Sequence, residues 1–280
     1  MSTLDITIVI TSFKSDKIIR DCLRSINRKY RVIIVENSNN VEFKNNLESE
    51  FDNVECILTG ENLGYGKSNN IGIKNVKTKY LLILNPDCTL YESTLENFNK
   101  CLSKASDFAI IAPHTQTEEK KIIDLQDASL ISVENVKGFA MFFKLSEFKD
   151  IGFFDERFFM YFEDIDLCKR LINAGKKIYL ARTIKILHEG GQYDDDEIKK
   201  KEIELSRNWH WMWSTFNYHK KYKGFFISFL IVLPKLITAT FKFLIYSLLL
   251  KKEKRNIYFQ RFSGLINAIK GKRSWYRPKV

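Results

Sequence analysis

The chain has 280 residues, 45% hydrophobic and 14% aromatic, enough to bury the core of one large α/β domain and carry an appendage. Its five cysteines, Cys22, Cys56, Cys88, Cys101 and Cys168, are odd in number and form no CxxC pair, which excludes a disulfide framework or zinc site and predicts reduced thiols in a cytosolic compartment. The net charge of +11 is unevenly spread: residues 199–280 hold 19 Lys and Arg against 3 Asp and Glu, a net of +16, leaving −5 on the rest, so the tail predicts an extended anionic partner, a membrane or a nucleic acid.

Asp5 interrupts the first apolar stretch, and Ile6 to Thr11 is too short for the core of a secretory signal, so none is expected. Ile6 to Thr11 reads instead as a buried β-strand, being short, apolar and β-branched. A helix follows over about 15–28, with Ser15 as its expected N-cap. Val32 to Val35 is a second strand, then a helix near 42–50, then a strand over Val54 to Leu58. Gly64 to Val76 is a glycine-punctuated turn entering a helix, and Tyr80 to Leu84 a fourth strand. Strands alternating with helices at this spacing predict a mostly parallel sheet covered on both faces. Ligands of such sheets bind beyond the carboxyl ends of the strands, so Thr11, Glu36, Asn37, Asn62 and Asn85 to Asp87 should converge on one crevice.

No element is assigned to 88–107. Phe108 to Pro113 is a fifth strand, 114–132 is polar and ambiguous, and Gly138 to Lys144 is strand-like. Glu163 to Ala174 has helical spacing with Gly175 as a stop, and Ile178 to Ile186 returns to strand character. Beyond Trp209 the composition changes to an aromatic cluster, an apolar run from Gly224 to Leu250 broken by Pro234, Lys235 and Lys242, and a basic run from Lys251 to Arg255.

Three places carry chemistry. Asp87, on the turn after the fourth strand, could hold a divalent cation against a diphosphate, since hard oxygen ligands suit magnesium or manganese; Asn, Pro and Asp are also ordinary turn residues. Glu163 and Asp164 open a helix, where carboxylates gain from the helix dipole, and an Asp there facing a crevice could act as a general base. Asp166 should point away and pair with Lys169 or Arg170. His188 follows a strand and gains interest only through these companions. The acidic run Asp194 to Glu197 opens a lysine-rich helix and is assigned no metal. Gly64, Gly66 and Gly72 have the wrong spacing and place for a dinucleotide fingerprint, so no nicotinamide cofactor is expected.

Taken in order, Ile8 to Phe13, Val35 to Ser38, Asn62 to Gly66 with Asn70 and Gly72, Leu84 to Asp87, the run from Gly152 to Arg170, and His188 to Gly191 resemble family 2 glycosyltransferases, most closely bacterial rhamnosyltransferase-like members that build surface polysaccharides. The resemblance spans roughly 4–192. It implies an α/β fold of the GT-A nucleotide-diphospho-sugar transferase type over 1–205, with 206–280 as a basic, apolar helical extension. It implies an inverting, metal-dependent transferase in which Thr11 and Glu36 contact the base and ribose, Asn62, Gly64 and Asn70 shape the donor pocket, Asn85 and Asp87 stand at the Asp-x-Asp motif, and Asp87 and His188 hold Mn2+ or Mg2+. Asp164 would be the catalytic base, with Glu163 beside it. Glu36 stands where an Asp is usual, Asn85 where the first Asp of the motif is usual, and Gln192 and Tyr193 depart from the small hydroxyl residue that normally follows the glycines.

The implied partners are a nucleotide-sugar donor, with dTDP-rhamnose the first choice, and a lipid-linked glycan acceptor. Two other readings weigh less. A nucleotidyltransferase would need a glycine-rich loop after the first strand, where Thr11 to Lys14 has none. A nucleic-acid-binding tail does not fit the apolar run, so no nucleic acid is expected. That run predicts two short interfacial helices, Phe225 to Leu233 and Leu236 to Leu250, with Trp209, Trp211 and Trp213 as a headgroup-level belt and Lys251 to Arg255 on anionic lipid. The alternatives are a helical hairpin packed on protein and a single membrane span. The expected location is the cytoplasmic face of the inner (plasma) membrane, peripheral or monotopic, with the oligomeric state open.

Overall fold

The computed structural model describes residues 5–114, 130–190 and 197–278. They form two compact units, one of Met1–Phe154 with Asp164–Tyr193, the other of Asp155–Glu163 with Asp194–Val280. The polar stretch 115–129, Gln192, Tyr193 and the acidic positions Asp194 to Asp196 lie outside the described residues.

The first unit is built on an eight-stranded sheet in the order β3-β2-β1-β4-β8-β6-β9-β7. Its strands are β1 (Ile6–Ser12), β2 (Arg31–Glu36), β3 (Val54–Leu58), β4 (Tyr80–Leu84), β6 (Phe108–Pro113), β7 (Leu130–Ser132), β8 (Ala140–Lys144) and β9 (Lys177–Ala181). β1 to β4 are mutually parallel, β8 runs antiparallel between β4 and β6, and β6 and β9 are again parallel. Two short strands, β5 (Cys88–Leu90) and β10 (Ile186–His188), pair antiparallel as a separate ribbon.

The central strands are apolar on both faces because helices cover both. Ile8, Ile10, Val32, Ile34 and Leu82 pack towards Phe43 and Leu47 of α2 (Val41–Glu50) and Phe98 and Cys101 of α4 (Thr94–Lys104). Val9, Ile33, Val35, Leu81 and Ile83 pack towards Ile73 of α3 (Tyr65–Lys74) and Leu167 and Leu171 of α5 (Glu163–Asn173). Burial of this kind stabilises by about 25 cal/mol per Å² of apolar surface. Gly72 lets α3 lie against the sheet, since a methyl group there would overlap Val9.

Several boundaries differ from the sequence reading. The first helix, α1 (Ile19–Arg24), is short, and Ser15 does not cap it: its hydroxyl donates to Phe13 O at 3.2 Å. α2 has a side-chain cap, with Asn40 Oδ1 accepting from Phe43 N at 3.0 Å. β5 and α4 fill the unassigned stretch, and the strand expected over 178–186 is two strands, β9 and β10, parted by a turn. Gly175, at φ 73°, stops α5 as expected.

The second unit contains α6 (Glu197–Leu248) and α7 (Lys252–Ile269). The sequence boundary at 205/206 falls inside α6. α6 is broken at Gly224, where φ is 76° and ψ 174°, and not at Pro234, which sits within the second stretch, 225–248. Gly224 adopts a left-handed φ at little cost, whereas Pro234 removes one N–H donor and leaves the flanking helix intact. Trp209, Trp213, Phe216, Val232, Ala239 and Leu265 form this unit's core with Phe158 from the 155–163 segment. Gly264 allows α7 to pack on the Trp209 backbone.

The expected tryptophan belt is therefore corrected. Trp209 and Trp213 are four residues apart, share one helix face and are buried, while Trp211, between them, points the other way and is 45% exposed. The stretch 225–248 carries an exposed apolar stripe of Phe226, Leu230, Ile237, Phe241, Leu244 and Leu248. α6 is long and apolar enough to cross a membrane by length and composition alone.

Candidate active site

The parallel strands end together. In register, Ser12 is opposite Glu36, and Ile10 opposite Leu84, so the residues just past β1, β2 and β4 share one edge of the sheet. At its floor, Thr11 Oγ1 and Glu36 Oε2 are buried and make no hydrogen bond to the described residues. Unpaired buried polar atoms are costly, so this pair asks for a polar partner from outside the fold. Glu36 Oε1 accepts from Ser38 Oγ at 2.7 Å. Burial pushes its carboxyl above the ordinary range, opposed by Ser38 and by Ser12, which lies close without making a well-formed hydrogen bond.

Asn37, one residue on, is a buried hub that the sequence marked only as a strand-end polar residue. Its Oδ1 accepts from Leu63 N at 3.2 Å and from the Ser68 hydroxyl, and its Nδ2 donates to Gly64 O at 3.3 Å. Asn62 Oδ1 accepts from Gly64 N at 3.1 Å, and Gly64 itself has φ 84°. This holds the loop entering α3 against the end of β2. Asn70 is engaged at both ends by the Phe154 backbone, donating to its O at 2.9 Å and accepting from its N at 3.0 Å, so it fixes the chain just before Asp155.

The β5–β10 ribbon pairs Cys88 with His188. It thereby brings His188 Nε2 to 3.4 Å from Asp87 Oδ2, across a sequence gap of about a hundred residues. Asp87 is buried and His188 partly exposed. Phe139 stacks on the imidazole, with centroids 4.6 Å apart and 8° between planes. Asp87, Cys88 and His188 bring three possible ligand atoms within 4.8 Å of one another. Burial, reinforced by the Asp87 charge, drives the Cys88 thiol far above its usual range, and its Sγ lies 3.7 Å from Phe139 O. A hard divalent cation such as Mn2+ or Mg2+ prefers oxygen and imidazole nitrogen to soft sulfur, so the donors fit for it are the Asp87 oxygen and the His188 nitrogen.

Asp164 lies in the first turn of α5. Its Oδ1 accepts from Ile165 N at 2.8 Å and its Oδ2 from Gly138 N at 3.0 Å. Burial raises its pKa, partly offset by those two backbone donors. Gly138 is a junction: its carbonyl accepts from the Tyr65 hydroxyl, and a methyl group in place of its hydrogen would stand 3.3 Å from Asp164 Oδ2. The next residue, Phe139, accepts Asn85 N at 2.8 Å and covers His188. Adjacent residues of one loop thus contact Asp164 on one side and the Asp87–His188 pair on the other. Glu163, the other expected carboxylate, is buried and belongs to the second unit. Asp166 is fully buried and pairs with Arg170 at 2.9 Å, as its helix position predicts. Arg170 in turn donates to the carbonyls of Ile151 and Phe153, which makes Asp166 an anchor of the loop before Asp155.

The family model for Glycosyl transferase family 2 matches residues 7–168. The low-salt glycan biosynthesis hexosyltransferase Agl10 of Haloferax volcanii is 25% identical over 208 residues, covering 66% of this chain and 67% of that protein. The rhamnosyltransferase WbbL of Escherichia coli K12 is 26% identical over 249 residues, covering 75% of this chain and 91% of WbbL. Among solved structures, the mannosyltransferase PcManGT of Pyrobaculum calidifontis, in complex with GDP-Man and Mn2+, superposes with a TM-score of 0.63 at 12% identity, over 96% of this chain and 88% of that one. At that identity the likeness speaks to the fold, which is of the GT-A type. With more than half its length inside the family model, the chain belongs to glycosyl transferase family 2, a family of sugar-transferring enzymes.

Proposed function

We propose that this glycosyltransferase moves a sugar from a nucleotide-diphosphate donor to a hydroxyl of a lipid-linked glycan, with inversion at the anomeric carbon. The observation that carries the reading is the Gly138–Phe139 junction, which ties Asp164 to the Asp87–His188 pair through consecutive residues. In this reading Asp164 accepts the proton of the acceptor hydroxyl as its oxygen attacks the anomeric carbon. Its raised pKa makes it a stronger base than a surface carboxylate. Thr11 and Glu36 receive the base and ribose, which would satisfy their unpaired atoms. Asn37, Asn62 and Gly64 fix the loop that borders the donor, and Asn70 the chain leading to α5. Asp87 and His188 hold a divalent cation, which would offset the charge growing on the departing diphosphate.

Rhamnose, carried by dTDP, is the first donor to test, because WbbL is a rhamnosyltransferase. We place the catalytic body at 1–205 and the extension at 206–280, with the enzyme on the cytoplasmic face of the inner membrane. The exposed stripe from Phe226 to Leu248 and the basic run Lys251 to Arg255 support a monotopic arrangement. A panel of nucleotide sugars with manganese, read by nucleoside-diphosphate release and product mass, tests the donor. Asp164→Asn should lose at least about a hundredfold in transfer with donor binding kept; near-normal turnover would remove Asp164 from the role.

A further inference from the structure

Beside the apolar stripe of α6, on the flank of the same helix, lies a cavity of about 270 Å³. Its lining includes Trp211, Pro234, Lys235, Thr238, Tyr258 and Arg261, and no carboxylate. Lys235 is exposed, and Arg261 is aimed by its Nε, which donates to Asn208 Oδ1 at 2.6 Å, leaving its Nη groups without a hydrogen bond among the described residues. Tyr258 carries two cations near its ring, Arg261 Cζ at 5.1 Å and Lys242 Nζ at 5.0 Å from the centroid, and its hydroxyl accepts from Lys242 Nζ at 3.1 Å. Along the helix, 234, 235 and 238 face this cavity, while Ile237, Phe241 and Leu244, 60%, 63% and 53% exposed, carry the stripe next to it.

We infer that this cavity seats the phosphate headgroup of an anionic glycerophospholipid, whose acyl chains run beside Phe241 and Leu244. The charge is right: Lys235 and Arg261 both line the cavity, neither makes an ion pair among the described residues, and a guanidinium matches phosphate geometry. The surroundings are also right. Trp211 and Tyr258 are the half-apolar, half-polar residues that settle at headgroup level, and the adjoining stripe offers a surface for hydrocarbon that a free phosphate would not use. The inference rests on the membrane-surface reading above and adds a specific site to it, distinct from the diffuse attraction of the Lys251 to Arg255 run.

All four tryptophans, at 209, 211, 213 and 275, lie in this unit, so their fluorescence follows it alone. Full-length protein is titrated with vesicles of phosphatidylcholine alone, with vesicles containing phosphatidylglycerol brominated on its chains, and with soluble glycerol phosphate. Binding to the phosphatidylglycerol vesicles should quench fluorescence, and Trp211→Phe should remove most of that quenching. Lys235→Gln should weaken this binding by at least about tenfold, against up to about fivefold for Lys251→Gln, the effect of one lysine acting as a surface charge. Equal effects of the two substitutions would overturn the headgroup site and leave the membrane reading standing. Soluble glycerol phosphate binding as tightly as the vesicles would overturn it in favour of a free phosphate ligand. Protein that binds neither vesicle would overturn both.

Discussion

The burial of His210 makes the C-terminal unit acid-sensitive. The residue is fully buried, with Nε2 2.8 Å from Tyr276 O and Nδ1 3.1 Å from Ser274 Oγ. The neutral tautomer satisfies both, donating to the carbonyl and accepting from the hydroxyl. Phe159 stacks on the ring at 4.4 Å, and the Arg277 guanidinium sits 3.8 Å over Phe159. Burial, with a smaller push from Arg277 against the Tyr276 hydrogen bond, lowers the pKa from 6.5 to about 3. The unfolded chain then binds a proton below pH 6.5 that the folded unit refuses, so stability falls as pH drops from there towards 3. At 1.36 kcal/mol per pH unit the loss is about 2 kcal/mol between pH 7 and 5, and about 4 kcal/mol by pH 3. Asp155, held well below its ordinary value by Arg157 and Lys221 against the effect of burial, adds its own loss of stability only below about pH 5, outside the pH 7 to 5 interval. Urea unfolding followed by tryptophan fluorescence should show the midpoint dropping by roughly 1 M or more from pH 7 to 5. His210→Gln should start less stable at pH 7 and lose under about 0.5 kcal/mol over the same interval. A wild-type midpoint independent of pH, or equal losses in both proteins, would refute the reasoning.

The other predictions concern the crevice and the apolar stripe. EDTA should abolish transfer and manganese or magnesium restore it, and Asp87→Ala should weaken donor diphosphate binding more than acceptor binding; full activity in EDTA would sink the cation site. Gly138→Ala should crowd Asp164 Oδ2, lowering kcat by about ten- to a hundredfold with donor KM little changed, as steady-state kinetics would show. Phe241→Glu with Leu244→Glu should release the protein from liposomes in a flotation assay without lowering its melting temperature, because both side chains are more than half exposed.

The first half of the sheet was legible because buried parallel strands are unbroken apolar runs: Val54–Leu58 and Tyr80–Leu84 end where the sequence placed them. α4 escaped notice although Leu95, Phe98 and Cys101 repeat with helical spacing and all face the core. β5 and β10 are three residues each, too short for any period, and only their mutual pairing makes them strands. The same limit hid part of the site. Asp87, Asp164 and His188 announce themselves by residue type, but Phe139 and Gly138 contribute a ring face and a backbone N–H, which no sequence pattern advertises. In the tail, residues two apart on a helix cannot share a face, so the run of alternating tryptophans was never one belt. The 209 and 213 pair carried the core signal.

Asp164 sits under two opposed influences. Burial favours the neutral acid, while a backbone N–H aimed at each oxygen favours the carboxylate. The two donors are not equivalent. Ile165 N belongs to the same helical turn as Asp164 and is fixed by it. Gly138 N belongs to the loop whose next residue lies against His188 and Asn85. If Asp87 and His188 take up a cation and donor as proposed, any shift of that loop would change the support of Oδ2 before that of Oδ1. In the proposed mechanism Oδ2 is then the oxygen whose proton affinity the donor side would adjust, through the Gly138 backbone N–H.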